Sequence, residues 1–127
     1  MLVKGKELLL SDRSLLEDAA KAAGIEYDAE ASKPHPRSGA FWGLWLVYHH
    51  EPSEYDRRRW NPLTDDGDAL RLQVKLNLGL VPLEGGGWDC IKYDADGDEI
   101  TLASDFDPKR AITRAAAAIS SQNRGVV

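Results

Sequence analysis

Residues 39–48 constrain the fold of this chain more than any other segment. Nearly every position from 41 to 48 carries an apolar or aromatic side chain, without the alternation typical of a strand that has one wet face. Such a run is typical of a strand that is covered on both faces. It predicts a sheet buried between helices, in which residues 39–48 form a central strand.

The first of three predicted helices begins between residues 11 and 14 and ends at Ala23. Ser14 has a glutamate three residues later, which is the spacing of a capping box, and Ser11 is an alternative cap. Small apolar residues recur at helical spacing up to Ala23, and Gly24 provides a left-handed stop. Residues 8–10 could extend this helix backwards or form a short strand.

Two more helices follow in the second half of the chain. One begins near Thr64 or Asp65, either of which can cap it, and continues to about residue 78, where Gly79 ends it. The other has Asp107 as its cap and Pro108 at its first position, where a missing N–H costs nothing. Alanine-rich stripes on two of the three helices would let a helix backbone pack close to a sheet.

The remaining strands are predicted after the second helix. Residues 80–83 form a short apolar run that Pro82 confines to a sheet edge or a strand end. Residues 88–93 and 99–103 flank the acidic turn 94–98 and predict a hairpin. The order α-β-α-β-β-α, with the short run as an extra strand, predicts an α+β protein. Its architecture would be a three-layer α-β-α sandwich around a mainly antiparallel sheet.

The length of the chain and its apolar runs narrow the class of protein. Its 127 residues fit one domain, residues 1–127, with residues 1–10 as a candidate N-terminal extension. No apolar run approaches the ~20 residues that span a bilayer, and the start lacks the features of a secretory signal. With Cys90 as its one cysteine, the chain is expected to be cytoplasmic, with no disulfide and no membrane contact.

The net charge of −5 disfavours nonspecific nucleic-acid binding, because an acidic surface repels phosphate. Negative charge is concentrated in residues 88–107, which contain seven acidic residues and one basic residue, Lys92.

The turn 94–98 has the spacing of acidic residues that suggests a calcium site, but a glutamate occupies the position where an EF-hand loop needs glycine. A solvated hairpin turn is the favoured interpretation. In these acidic surroundings Cys90 is expected to be an inert thiol rather than a nucleophile.

One set of side chains is a candidate metal site. The residues concerned are His49, His50, Asp65, Asp66 and Asp68. Histidine nitrogens and carboxylate oxygens are suitable ligands for a divalent ion, but adjacent histidines in a strand point to opposite faces. No spacing in this set requires a metal, so we expect no cofactor. A small metal-dependent enzyme or ligand-binding domain that uses these residues is the alternative function.

The long connection at residues 49–63 carries a second candidate site. Tyrosine, tryptophan and arginine are the residue types most enriched in binding hot spots. The candidate binding residues are Tyr55, Arg57, Arg58, Arg59 and Trp60. For Trp60 a structural interpretation is favoured, in which its ring closes one end of the core.

The segment that starts at the end of this connection resembles a known family. Residues 60–72, WNPLTDDGDALRL, and the Val-Lys-Leu at 74–76 resemble the signature of the phage ABA sandwich domain family, which consists of small phage and prophage proteins. Residues 15–25 and 111–119 resemble its opening and closing helices. The resemblance covers residues 11–121. It implies a helix–sheet–helix sandwich, a phage or prophage origin and action inside a bacterial host, and it implies no catalytic residues.

Together these features predict a non-enzymatic accessory protein of a phage or prophage, which binds a host or phage protein in the bacterial cytoplasm. The small size, the net acidity and the aromatic–arginine connection motivate this expectation. Nucleic acid is not the expected partner, since the one dense basic run, residues 57–59, is flanked by acidic residues.

Overall fold

The computed structural model describes residues 10–39, 41–47 and 59–125, and it shows an α+β fold, which confirms the predicted class. None of the three described helices combines the length and the hydrophobicity needed to cross a membrane. In chain order the elements are α1 (Leu10–Ala23), β1 (Tyr27–Asp28), β2 (Leu44–Leu46), β3 (Arg59–Trp60), α2 (Asp66–Leu76), β4 (Gly79–Pro82), β5 (Trp88–Tyr93), β6 (Glu99–Asp105) and α3 (Pro108–Gly125).

The six described strands lie in two small antiparallel sheets. In the first sheet β2 stands between β1 and β3, and in the second β5 stands between β4 and β6. The antiparallel pairing agrees with the sequence-based expectation. The strands do not form the single sheet around which three layers were predicted, and that three-layer order is not confirmed.

The segment 39–48 explains why the predicted central sheet is divided. Only Leu44–Leu46 is a strand within its described part, because Gly43 has a φ of +127° and interrupts the extended backbone. Trp42 and Val47 expose 42% and 40% of their surface, so the expectation that both faces are covered is wrong. Part of the apolar composition of this segment therefore lies on the protein surface and does not pack against a second layer.

The core is centred on α3, which contacts α1, α2 and the second sheet. Phe41, Leu44 of β2, Leu72 of α2 and Cys90 of β5 belong to the same buried cluster. The main packing partner of α1 is α3, and the stripes of both helices consist of buried alanines, which permit close approach of the two backbones. These alanines are Ala19, Ala20, Ala23, Ala111, Ala115 and Ala116.

The first helix ends as predicted but begins earlier. Gly24 has a φ of +68°, and the N–H of Ile25 donates to the carbonyl of Ala20 at 2.9 Å, which is the Schellman pattern of a helix end. Because α1 already begins at Leu10, Ser11 and Ser14 lie inside it and do not cap it. The remaining residues of the predicted extension lie outside the described part of the chain.

The second helix is capped by Asp65, one of the two predicted caps, whose Oδ1 accepts the N–H of Asp68 at 2.8 Å. It ends at Leu76, and Asn77 rather than Gly79 adopts the left-handed conformation, with a φ of +56°. The predicted end at Gly79 is therefore wrong. Gly79 begins β4 instead, where an added Cβ would lie 3.1 Å from Ile91.

The second sheet contains the predicted hairpin of β5 and β6, and β4 is an edge strand as Pro82 indicated. The Asp94 carboxylate closes the turn by accepting the backbone N–H groups of Asp96 and Asp98, each at 2.9 Å. Beyond β6, Asp107 caps α3 as predicted, since its Oδ1 accepts a backbone N–H two residues further on at 2.9 Å.

Candidate functional site

Two tryptophans and an arginine form a stacked surface on the first sheet, which we call the tryptophan–arginine platform (Trp42, Trp45 and Arg59). Strands β2 and β3 pair so that Trp45 lies directly opposite Arg59. The Arg59 guanidinium carbon is 4.6 Å from the centre of the Trp45 ring and 5.7 Å from that of Trp42. Cation–π contacts of this kind contribute about 0.5–1 kcal/mol at exposed sites. The stack therefore holds an exposed arginine in a defined position.

Gly43 controls how closely the two strands of the platform approach each other. A Cβ at this position would lie 2.7 Å from the carbonyl oxygen of Trp60 and 3.1 Å from the Cβ of Asn61. Real Cβ atoms do not come so close to a backbone oxygen, so a larger residue would push β2 away from β3. Glycine at position 43 thus keeps both tryptophans within reach of Arg59.

A network of hydrogen bonds fastens the platform to the start of α2; we call it the Asn61–Asp68 network. The Asn61 amide Nδ2 donates to the carbonyl of Trp42 at 3.1 Å. The backbone N–H of Asn61 donates to Asp68 Oδ2 at 2.9 Å, and Arg71 donates to Asp68 Oδ1 at 2.7 Å. Asp68 is buried, with 1% exposed, so these bonds lie largely out of water. The segment that begins at Trp60 therefore supports the platform from below.

One acceptor in this network has no donor. Asn61 is 6% exposed, and its Oδ1 is a buried side-chain oxygen without a hydrogen-bond partner among the described residues. Because Nδ2 already donates to the carbonyl of Trp42, turning the amide over would bring two oxygens together. A buried acceptor left unsatisfied costs about 1–3 kcal/mol. The position of this oxygen therefore needs an explanation.

Two clefts meet at the platform. The first, which we call the Asn61 cleft, has a volume of about 210 Å³ and is lined by Trp42, Arg59, Asn61, Thr64, Asp65 and Asp68. The second, the His35 cleft, has a volume of about 270 Å³ and is lined by Glu30, Lys33, Pro34, His35, Pro36, Trp42 and Arg59. Trp42 and Arg59 line both clefts, so a ligand on the platform could occupy either side.

A third cleft, of about 280 Å³, lies on the second sheet beside Phe106. Its lining includes Gly86, Gly87 and Asp105, and the Asp105 carboxylate accepts a hydrogen bond from Arg114 at 3.3 Å. This cleft is mainly apolar and contains none of the candidate residues that the sequence indicated.

The five predicted binding residues do not share one environment: one is buried, one is exposed, and three lie outside the described residues. Trp60 is buried with 3% exposed and belongs to the core, in agreement with the structural interpretation. Arg59 is exposed and forms the platform. Tyr55, Arg57 and Arg58 lie outside the described residues, and their binding role stays a prediction.

The candidate metal ligands also separate into two groups. His49 and His50 lie outside the described residues. Of the carboxylates, Asp65 caps α2, Asp68 is paired with Arg71, and Asp66 forms an ion pair with Lys109 at 3.1 Å on the exposed side of the helix start. The three carboxylates thus already have other partners, and a metal site with the two histidines stays a prediction.

The structure also shows the surroundings of the acidic turn 94–98 and of Cys90, the two other candidates from the sequence. The carboxylates of Asp94, Asp96 and Asp98 place ligand atoms within 4.8 Å of one another, as expected in a tight acidic turn. Cys90 is buried, and burial raises the pKa of its thiol to about 11. Such a thiol stays protonated at neutral pH, which supports its interpretation as inert.

Sequence reasoning missed Trp42, Trp45 and Asn61 as site residues. The two tryptophans lie in the segment that was predicted to be a covered strand, and Asn61 lies in the segment that carries the family resemblance. A signal was present in Gly43, since a glycine inside a strand pattern often marks a close approach of another backbone. The pairing that brings Arg59 over the rings depends on strand register and could not be read from spacing.

Comparison of the chain with protein-family models, with curated proteins and with solved structures finds no match. The geometry of the site itself is an arginine that contacts two tryptophan rings, next to two small clefts.

Proposed function

We propose that this protein is a non-enzymatic binding module that recognises another protein through the tryptophan–arginine platform. The observation that carries this proposal is the stack itself, in which Arg59 lies over Trp42 and Trp45 while Trp42 keeps 42% of its surface exposed. Tryptophan and arginine are the residue types that most often dominate the energetics of protein–protein interfaces.

Preorganisation supports the same proposal. A free arginine side chain loses conformational entropy when a partner fixes it, at about 0.5–1.5 kcal/mol for a side chain rich in rotamers. The Arg59 guanidinium already contacts two rings, and the backbone carbonyl of Trp42 accepts a hydrogen bond from Asn61. The clefts, at about 210 and 270 Å³, are smaller than typical drug-sized sites of roughly 300–1,000 Å³ and suit single side chains of a partner.

The origin and partner class follow from the family resemblance. We infer that the chain is a member of the phage ABA sandwich domain family and acts on a host or phage protein in the bacterial cytoplasm. The residues that carry the resemblance include Asn61, Asp65 and Asp68, which hold the platform to α2. Tyr55, Arg57 and Arg58, which closely precede Arg59 in sequence, stay predicted binding residues.

A position-specific crosslinking experiment tests the proposal. A photoreactive amino acid replaces Trp42 in one variant and Leu70, which exposes 57% of its surface on α2, in the matched control. In bacterial cells that carry the chain, we expect a protein adduct from position 42 and none from position 70. The same adduct from both positions, or an adduct from position 70 alone, would contradict the proposal.

The identified partner then provides a quantitative test. Replacing Trp42 or Arg59 by alanine should weaken binding by about 2 kcal/mol, or roughly thirty-fold, as measured by calorimetry. Leu70→Ala should leave the affinity unchanged. If both platform variants bind as tightly as the original protein, the platform is not the recognition surface.

A further inference from the structure

Arg59 has hydrogen-bond donors that the described part of the chain does not use. Its guanidinium contacts the rings of Trp42 and Trp45, and it forms no hydrogen bond or ion pair with any described residue. A guanidinium carries five N–H donors, and contact with an aromatic ring provides none of them with an oxygen acceptor. Arg59 is exposed, so a ligand at the surface can reach this charge. The stack therefore holds a cation in place without neutralising it.

A second cation, Lys33, lies on a loop that is fastened to the same strand. The preceding residue, Ser32, is 1% exposed, and its Oγ accepts the backbone N–H of Trp45 at 2.8 Å. Further along the loop, His35 Nδ1 accepts two backbone N–H groups from the residues that follow, at 3.2 and 3.3 Å. Lys33 and Arg59 both line the His35 cleft. The cleft thus has cations from two segments, each of which is held against Trp45.

The charges that line the His35 cleft leave one positive charge in excess. Glu30 also lines this cleft and pairs with Lys33 at 3.0 Å. The Lys33 and Glu30 side chains are 60% and 82% exposed, so water screens their pair and Lys33 remains available to an anion. With His35 counted as neutral, two cations and one carboxylate line the cleft, and a monoanion matches the excess.

Other carboxylates near the platform favour this cleft over its neighbour. Asp65 and Asp68 line the Asn61 cleft and not the His35 cleft, so an anion beside Arg59 meets less negative charge in the latter. Asp28 of β1 lies opposite Trp45, on the side of β2 away from β3. Its carboxylate accepts a backbone N–H three residues further on at 3.0 Å, and it does not line the cleft. An anion that uses Arg59 is therefore best placed in the His35 cleft.

The size and the walls of the cleft restrict the anion further. Its volume of about 270 Å³ is below the roughly 300–1,000 Å³ of drug-sized sites, so it suits one side chain or a ligand of similar size. Pro34, Pro36 and the partly exposed Trp42 provide apolar surface next to the two cations. A carboxylate on a short aliphatic stem matches both properties, because the stem can lie against the apolar walls.

We infer that the His35 cleft binds a carboxylate on a short aliphatic stem, which accepts hydrogen bonds from Arg59 and forms an ion pair with Lys33. This inference rests on the proposed function, because it names the glutamate or aspartate side chain of a protein partner as the group recognised beside the platform. A free small carboxylic acid has the same chemistry, so the experiment separates the two sources.

Four probes of similar length test the chemistry directly. Butyrate, butyramide, butylammonium and propyl phosphate are titrated at constant ionic strength into the full-length, isotope-labelled protein. NMR follows the indole groups of Trp42 and Trp45 and the Nε–H of Arg59. We expect saturable shifts with butyrate, and binding at least about ten-fold weaker for butyramide and butylammonium, because neither carries a negative charge.

Propyl phosphate should also bind more weakly than butyrate, because its charge of nearly two exceeds the single positive excess of the cleft. Tighter binding of any of the other three probes would overturn the inference. So would the absence of a saturable shift with butyrate.

Variants with opposite expected effects keep the test independent of folding. Arg59→Met removes the donors and should weaken butyrate binding at least about ten-fold, and Lys33→Met should weaken it roughly three-fold. Glu30→Gln removes the competing carboxylate and should tighten binding roughly three-fold, which a folding defect would not do. Lys75→Met is the matched control, because Lys75 is an exposed lysine of α2 that does not line the cleft, and it should leave the affinity unchanged. Unchanged binding by the Arg59 or Lys33 variant, or weaker binding by Glu30→Gln, would contradict the assigned charges.

A last comparison distinguishes the sources. An acetyl-Ala-Glu-Ala peptide with a methylamide end should bind more tightly than butyrate, because a protein segment adds contacts with the platform beside the carboxylate. Tighter binding of butyrate would overturn the assignment to a protein side chain. A crosslinked partner at position 42 combined with no butyrate binding would overturn only the carboxylate inference, whereas butyrate binding without an adduct would count against the proposed function alone.

Discussion

Replacement of Asp68 tests the Asn61–Asp68 network most directly. This carboxylate is almost fully buried and accepts the backbone N–H of Asn61 at 2.9 Å and a guanidinium N–H of Arg71 at 2.7 Å. Asp68→Ala removes both acceptors and takes the carboxylate acceptor away from the buried N–H of Asn61. The variant should therefore lose stability as well as the alignment of Trp42.

The size of the loss can be worked from these contacts. An orphaned buried N–H costs about 1–3 kcal/mol. The Arg71 bond contributes only about 0.5–1 kcal/mol, because the Arg71 side chain is 62% exposed and water screens the pair. We therefore expect Asp68→Ala to lower the free energy of unfolding by about 3 kcal/mol, and Asp68→Asn, which keeps one acceptor for Asn61, by about 1 kcal/mol.

Urea unfolding followed by tryptophan fluorescence and circular dichroism measures both values. Asp66→Asn is the matched control, because Asp66 is exposed two residues away and its ion pair with Lys109 lies on the surface. It should change stability by less than about 0.5 kcal/mol. If Asp68→Ala is as stable as the control, or if alanine and asparagine are equally destabilising, the network does not carry the energy assigned to it.

Three further perturbations test other parts of the fold. Gly43→Ala should destabilise the protein by about 3 kcal/mol, from backbone strain at a positive φ and a Cβ 2.7 Å from an oxygen, and a fluorescence melt equal to that of the original protein would refute this. Asn77→Ala should cost about 1 kcal/mol in the same melt, whereas Asn77→Gly should cost nothing, because the position is left-handed. The Cys90 thiol should react with a thiol reagent at pH 8 only after unfolding. Because its pKa rises from 9.0 to about 11 on folding, the unfolded state deprotonates first, and stability in urea should fall between those pH values rather than rise.

Local signals predicted the helices better than the sheets. The cap at Asp107 and the stop at Gly24 depend on contacts within a few residues, so sequence alone located them, and it narrowed the cap of α2 to Thr64 or Asp65. At the end of α2 both Asn77 and Gly79 are residue types that can adopt the left-handed conformation. Asn77 adopts it, while Gly79 lies in β4 close to Ile91 of the neighbouring strand, a contact that local sequence does not contain.

The division into two sheets and the platform depend on long-range pairing. Residues 39–48 have the composition of a covered strand, but composition does not show that Gly43 interrupts the extended backbone or that Trp42 and Val47 stay exposed. Arg59 was identified as a binding candidate from its residue type. Its contacts with Trp42 and Trp45 depend on strand register, and the burial of Asn61 Oδ1 without a hydrogen-bond partner among the described residues depends on packing. Neither could be predicted from residue spacing.

The pairing of α1 with α3 has a consequence for how the chain is made. These helices are the first and the last described elements, yet each is the main neighbour of the other. During translation, α1 leaves the ribosome long before α3 has been synthesised. Until then, the alanine face of α1 lacks its native packing partner. Folding to the compact state is therefore expected late and all at once, and a nascent chain halted before residue 108 should remain a target for chaperones and proteases.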